Sequence, residues 1–189
     1  MKERALYAAV GAGGAIGLIA SFLQTMEKLT LLKNPGTQLV CDLGSVFSCT
    51  NVLNAWQSSV FGFPNSLMCM VLFTIFGTVG LAGLTGGKLA RGFRLGVHAL
   101  ALFTLFFGMW FLSQSTFVIG SLCLYCLFCF SGLMLLNWGF LRINAADLPI
   151  SDRGRALLQR GIASGADTFA WIVLALAIAF IMVMKFYIV

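Results

Sequence analysis

The chain has 189 residues, of which 60% are hydrophobic and 10% charged, with a formal net charge of +6; its mean hydropathy is +0.97. Soluble domains carry about 25% charged residues, so the composition excludes a water-soluble globule, and equally a disordered, collagen-like or coiled-coil chain. It reads instead as an all-α integral membrane protein, a single membrane domain over 1–189 with four or five spans joined by short connections.

A span needs about 20 mainly apolar residues. In chain order, the first falls at about Ala5–Leu23, behind Lys2, Glu3 and Arg4. Its apolar run is too long for a signal-peptide core and lacks a small-residue cleavage site, so it reads as an uncleaved anchor. Gly13 and Gly17 have the small-xxx-small spacing of close helix packing. The Gly11–Gly17 cluster is no nucleotide loop, because no strand precedes it. A loop of about 25–65 follows, with a turn at Asn34-Pro35-Gly36. Apolar residues at Val46, Phe47, Val52, Leu53 and Trp56 predict a short helix within Ser45–Trp56, lying against the membrane face. The second span falls at Ser66–Leu84, and Asn65 is suited to cap it. The third, Phe93–Leu112, holds the one histidine, His98, expected to be buried and hydrogen-bonded. A tight turn at Ser113–Thr116 leads to the fourth span, Phe117–Leu136. The segment Arg142–Asp167 reads as a solvated linker with a surface helix near Arg153–Gly161, and the fifth span is Thr168–Val189. Trp110, Trp138 and Trp171 fall at span ends as interface anchors, and Trp56 could anchor the short helix.

Basic residues set the orientation. With the N-terminus inside, Lys2, Arg4, Lys88, Arg91, Arg94, Arg142, Arg153, Arg155 and Arg160 lie on the inner side. Only Lys28, Lys33 and Lys185 lie outside. The C-terminus is then outside, the 25–65 loop faces outward, and the positive charge is membrane anchoring rather than a nucleic-acid surface.

Six cysteines are present. Cys41 and Cys49 lie on the outward loop, a disulfide-permissive side. Cys123 and Cys126 form a C-x-x-C pair in the fourth span, with Cys123 roughly 9 Å below its start at 1.5 Å per residue. Residues three apart on a helix are neighbours, so modest adjustment closes a disulfide. Two thiols deliver two electrons and two protons, the requirement for reducing a quinone to a quinol. Two pairs stacked across the interface, one outside and one just beneath, make an exchange relay. Cys69 and Cys129 read as small buried hydrophobes. An iron–sulfur cluster on Cys123, Cys126 and Cys129 is disfavoured, since Cys129 lies about 120° around the helix from Cys123. Zinc is disfavoured because His98 is remote, so no metal is expected.

At these residues the sequence resembles the vitamin K epoxide reductase family. The resemblance is carried by the run from Cys41-Asp42-Leu43-Gly44-Ser45 to Val46-Phe47-Ser48-Cys49, by Val52, Phe61-Gly62 and Asn65-Ser66, and by Cys123 with Cys126. It runs from the first span through the fourth and implies a four-helix bundle around a quinone, with the fifth span found in bacterial members. It also implies roles. Cys126 would reduce the quinone, Cys123 would exchange with Cys49, and Cys41 with an external thioredoxin-fold protein. Asn65 would hydrogen-bond a quinone carbonyl, while Val52, Leu53 and Met68 would line the pocket. Phe130 stands where vertebrate members have a tyrosine, which removes one hydrogen bond to the quinone. Many bacterial members carry a fused thioredoxin-like domain after the fifth span; this sequence ends at Val189, so the partner is expected as a separate protein.

The function implied is a thiol–disulfide oxidoreductase of the bacterial cytoplasmic membrane, passing electrons from the partner to a membrane quinone and supporting disulfide formation in exported proteins. Two alternatives stand beside it: a vitamin K epoxide or quinone reductase whose wanted product is the quinol, and a non-enzymatic membrane subunit with structural cysteines.

Overall fold

The computed structural model describes residues 3–187. Lys2, counted among the inner cations, and the last residues of the predicted fifth span lie outside that range. The described elements are helical: α1 (Glu3–Lys33), α2 (Cys49–Asn54), a 3₁₀ turn (Trp56–Ser59), α3 (Asn65–Leu84), α4 (Arg91–Gln114), α5 (Leu124–Asn144), α6 (Asp152–Ser164) and α7 (Ala166–Tyr187). Five helices are long and apolar enough to cross a membrane, namely α1, α3, α4 with its continuation, α5 and α7. The protein is an all-α integral membrane protein.

Glycine decides how α1 packs. A Cβ on Gly14 would lie 2.6 Å from the Gly77 Cα of α3, and one on Gly13 would lie 2.6 Å from the Gly132 carbonyl oxygen of α5. Only bare backbone lets α1 approach both neighbours so closely, as small residues do in membrane helix pairs. The expected close packing at Gly13 and Gly17 is thus met, Gly13 against α5 and Gly17 against α3, where a Cβ would collide with the Phe73 ring. Around this seam Val10, Phe73, Phe76, Leu136 and Phe140 are fully buried. Phe76 lies edge-on to both Phe73 and Phe140, at 6.3 and 6.4 Å.

α1 runs ten residues past its predicted end. A 31-residue helix is about 46 Å long, against a hydrocarbon core of about 30 Å, so the helix rises beyond the apolar zone. Its extension is held by contacts rather than by apolar sequence: Lys28 Nζ donates to the Leu53 carbonyl at 2.6 Å. The connecting loop is correspondingly shorter, and the helix stops before Asn34-Pro35-Gly36, where Gly36 takes φ 102°.

The third and fourth spans also differ from expectation. The predicted turn at Ser113–Thr116 is helical. Ser113 and Thr116 hydroxyls donate to carbonyls one turn back, Trp110 and Leu112, so their polarity does not break the helix. α4 continues as a π-helical turn (Ser115–Ile119) and ends at Gly120, with φ 71°. That left-handed residue places the turn at 120–123, and the next helix starts at Leu124 instead of Phe117.

The predicted short helix is present but begins at Cys49, capped by Ser48, whose Oγ accepts the Asn51 N–H at 3.3 Å. It covers the end of the bundle: Cys49, Val52 and Leu53 are buried in protein rather than laid on lipid. Trp56 is exposed and pairs with Trp110 at 6.4 Å. At the other end α6 occupies the predicted surface segment, capped by Ser151.

α7 lies at the edge of the bundle, with no buried residue, and part-buried side chains such as Trp171, Ile178 and Met182 pack against the core. It is tethered to α5 at one end, where Arg142 donates twice to Asp167 at 2.6 Å and Trp138 Nε1 donates to Thr168 at 3.1 Å. His98 is buried as expected and stacks on Phe140, but its Nε2 finds no hydrogen-bond partner among the described residues.

Candidate redox site

The site begins with a backbone stitch. Freed from the helix by Gly120, Leu122 forms a parallel bridge with Phe47. The Leu122 N–H donates to the Val46 carbonyl at 2.8 Å, and the Ser48 N–H donates to the Leu122 carbonyl at 3.1 Å. Asn51 Nδ2 adds a bond to Ser121 Oγ at 3.0 Å. These bonds fix the start of α2 beside the start of α5, and so fix Cys49 beside Cys123.

Cys41 and Cys49 are joined by a disulfide. The Cys49 sulfur also lies 3.4 Å from the sulfur of Cys123, which is a free thiol, as is Cys126. All three sulfurs of this chain of contacts are buried, with Leu31, Leu39, Val52 and Leu53 around them. Cys123 is the N-cap of α5, in extended conformation. The C-x-x-C pair therefore straddles a helix start, which corrects the expectation of two positions one turn apart within a span. Cys126 lies in the first helical turn, one turn below the N-cap Cys123.

Asp42 braces the loop. Its carboxylate accepts the Thr50 hydroxyl at 2.5 Å, the Thr50 N–H at 3.0 Å and the Leu39 N–H at 3.2 Å. Burial alone would raise this carboxyl; the bonds from Thr50 and Leu39 outweigh it and hold the group below its ordinary value of 3.8. Val40 and Leu43, on either side of Cys41 and Asp42, are 81% and 67% exposed, an apolar surface over a buried disulfide.

Cys126 faces inward to a cavity of about 60 Å³ between α1, α3, α4 and α5. Asn65 and Phe130 line it, together with Gln24, Ser66, Cys69, Phe107, Phe111 and Cys129. Val52 and Leu53 do not; they surround the sulfurs of the relay instead. Met68 is half-buried and outside the wall. Asn65 is buried, its Nδ2 donates to the Gln57 carbonyl at 2.7 Å, and its Oδ1 has no partner among the described residues. Gln24 Nε2 donates to the Cys126 sulfur at 3.2 Å. No charged side chain and no histidine is among the lining residues, and among the described residues no three metal-ligating side chains converge.

Sequence reasoning missed Gln24, Cys69 and Cys129 as parts of this wall. Gln24 did carry a signal: an uncharged polar side chain in a membrane helix needs a partner. The two cysteines carried none, since a buried thiol and an apolar residue look alike in a hydrophobic run.

Fold and site together define a helical membrane protein with a cysteine pair on an extramembrane cap and a second at the head of a spanning helix. The model of the Vitamin K epoxide reductase family matches residues 8–138, well over half of the chain, and the chain belongs to that family of membrane oxidoreductases. No curated protein matches it.

Proposed function

We propose that this protein carries electrons from a thioredoxin-fold partner to a membrane quinone, and so supports disulfide formation in exported proteins. The observation that carries the reading is the line of four sulfurs, Cys41 bonded to Cys49, Cys49 3.4 Å from Cys123, and Cys126 on the cavity wall. A partner thiolate attacks Cys41, the Cys41–Cys49 bond breaks, and Cys49 leaves as thiolate. The partner's second thiolate resolves the mixed disulfide, and the partner is oxidised. Cys49 then attacks Cys123 of a Cys123–Cys126 disulfide, expelling the Cys126 thiolate. Cys41 attacks Cys49, restores the Cys41–Cys49 bond and releases Cys123. The pairing in this structure, one disulfide on the cap and two thiols below, corresponds to the loaded state that follows.

Bound quinone would accept two electrons and two protons, becoming a quinol as Cys123 and Cys126 join. The lining fits such a ring chemically: apolar walls, Cys126 as donor, and Asn65 with a free acceptor for a quinol O–H and a second N–H for a carbonyl. By volume the cavity holds only a few waters as it stands, so a ring is admitted by rotation of a wall aromatic, Phe107 or Phe111. Phe130 brings no hydroxyl, which favours plain quinone reduction over epoxide chemistry. The cap end faces outward in this reading. Arg4, Lys88, Arg91, Arg94 and Arg142 gather at the other end, as positive-inside sorting in a bacterial cytoplasmic membrane requires.

The test is turnover by the purified protein, with a reduced thioredoxin-fold donor and a short-chain quinone, followed by quinol absorbance. Cys126→Ala is expected to abolish turnover; an unchanged rate would overturn the reading. A membrane-impermeant thiol reagent, applied to intact cells after mild reduction, is expected to label Cys41 and Cys49. Labelling only after lysis would reverse the orientation.

A further inference from the structure

Cys126 has to exist as a thiolate twice in the proposed cycle, once as the leaving group when Cys49 attacks Cys123 and once as the electron donor. Its surroundings oppose this. Lys, Arg and His, the usual companions of a reactive thiolate, are all missing from the residues that line its cavity. The start of α5 is capped by Cys123 rather than by Cys126. One polar group is aimed at the Cys126 sulfur. Gln24 is 7% exposed, sits on the cavity wall, and directs Nε2 to the Cys126 sulfur at 3.2 Å.

We propose that Gln24 stabilises the Cys126 thiolate and thereby speeds its departure when Cys49 attacks Cys123 of the Cys123–Cys126 disulfide. The inference rests on the function proposed above. An amide N–H bonds a neutral thiol weakly and a thiolate strongly, because the second bond is charge-assisted. The contact therefore favours the ionised sulfur over the neutral one. In disulfide exchange the better-stabilised thiolate departs faster. Attack by Cys49 is directed to Cys123 by the 3.4 Å approach, which makes Cys126 the sulfur released, and Gln24 eases that release. The electron pair then resides on the sulfur that faces the cavity. Balance is kept: the Cys49–Cys123 bond forms, the Cys123–Cys126 bond breaks, and no proton moves until Cys126 donates.

The same geometry explains why α1 carries this amide inside an apolar span. Burying an unpaired amide is costly, and Gln24 has its partner in Cys126. Three residues on, Glu27 meets the Tyr125 hydroxyl at 3.5 Å, and Lys28 holds the Leu53 carbonyl. One face of α1 thus addresses the C-x-x-C segment and the cap together.

The experiment measures alkylation of Cys126 against pH in the full chain, reduced and in lipid nanodiscs, with Cys123→Ala as background and modification located by peptide fragmentation. Gln24→Met keeps length and packing but removes the donor; Gln24→Glu keeps shape and replaces the amide by a carboxylate. Both are expected to raise the alkylation midpoint, by about one pH unit for Gln24→Met, which reads as a rate about tenfold lower at neutral pH. An unchanged midpoint in Gln24→Met, with helicity and thermal unfolding as in the parent, overturns the proposal. Should Gln24→Met fail to fold, an unchanged midpoint in Gln24→Glu overturns it equally. Alkylation needs neither quinone nor partner. A protein without quinone turnover but with this Gln24 dependence would refute the function and leave the role of Gln24 standing, and the converse result would refute Gln24 alone.

Discussion

The sulfur of Cys49 stands 3.4 Å from that of Cys123 while still bonded to Cys41. The two residues are 74 positions apart, and no side-chain force between thiols brings them together. The main-chain bonds between 46–48 and 122 do so. The contact between the two cysteine pairs is therefore built into the backbone.

Removing the competing sulfurs should trap that contact. In Cys41→Ala/Cys126→Ala, mild oxidation is expected to join Cys49 to Cys123 in nearly every molecule, read by non-reducing peptide mapping. Adding Gly120→Val, which puts a β-branched side chain at φ 71°, is expected to lower the cross-linked fraction severalfold by displacing the stitch. Free thiols at both positions in the double variant would contradict the geometry.

Asp42 gives the loop a defined pH dependence. Its carboxyl is depressed below 3.8, so its stabilising contribution is complete above the unfolded value of about 4 and is lost as pH falls through the lower folded value. Reduction of Cys41–Cys49 by a phosphine, which acts in acid, is expected to be slow and flat from about pH 7 to 5 and to accelerate below about pH 4. Asp42→Asn should flatten that profile and speed reduction about threefold to tenfold at neutral pH, since hydrogen bonds to a charged group are lost.

The glycine seam predicts a sharp positional contrast. Gly13→Ala puts a methyl 2.6 Å from the Gly132 carbonyl oxygen, a backbone atom that cannot swing away, and is expected to cost about 1–3 kcal/mol. Gly92→Ala meets nothing within 4 Å in α4 and is expected to be neutral or to gain up to about 1 kcal/mol from helix propensity. Detergent-induced unfolding, followed by helicity, measures both; equal effects would exclude close approach of α1 to α5.

The Arg142–Asp167 pair, with side chains 11% and 6% exposed, is the principal polar tie between α5 and α7. Asp167→Ala leaves a guanidinium with one partner fewer, and is expected to destabilise by on the order of 3 kcal/mol. Amide exchange in α7 should rise while α1, α3, α4 and α5 stay protected. Uniform loosening of all five helices would show that α7 is integral to the bundle.

The contrast between these elements shows what the sequence could reveal. Spans were readable because hydropathy reports lipid exposure directly, and α3 and α7 fall within about two residues of expectation at their starts. Where the helix outlasts the bilayer, as α1 does beyond Leu23, composition turns polar while the backbone continues. Hydropathy then places the end too early. Ser113–Thr116 misled for the opposite reason: hydroxyls that look like a turn bonded their own helix. The grouping of Cys41, Cys49, Cys123 and Cys126 was legible from motif spacing. The cavity wall was less so: Asn65 and Phe130 belong to it, whereas Val52 and Leu53 shield sulfurs. Apolar residues of one size serve either place, and only the direction of α2 over the bundle separates them.

The stitch between Phe47 and Leu122 has an evolutionary consequence. It is made by N–H and carbonyl groups that every residue except proline supplies in full, so it constrains conformation and does not depend on the exposed side chains of Val40 and Leu43. Val40 and Leu43 can change to suit a different donor surface while the sulfur-to-sulfur gap stays as it is. The protein is, in this respect, a socket with fixed wiring and an interchangeable faceplate.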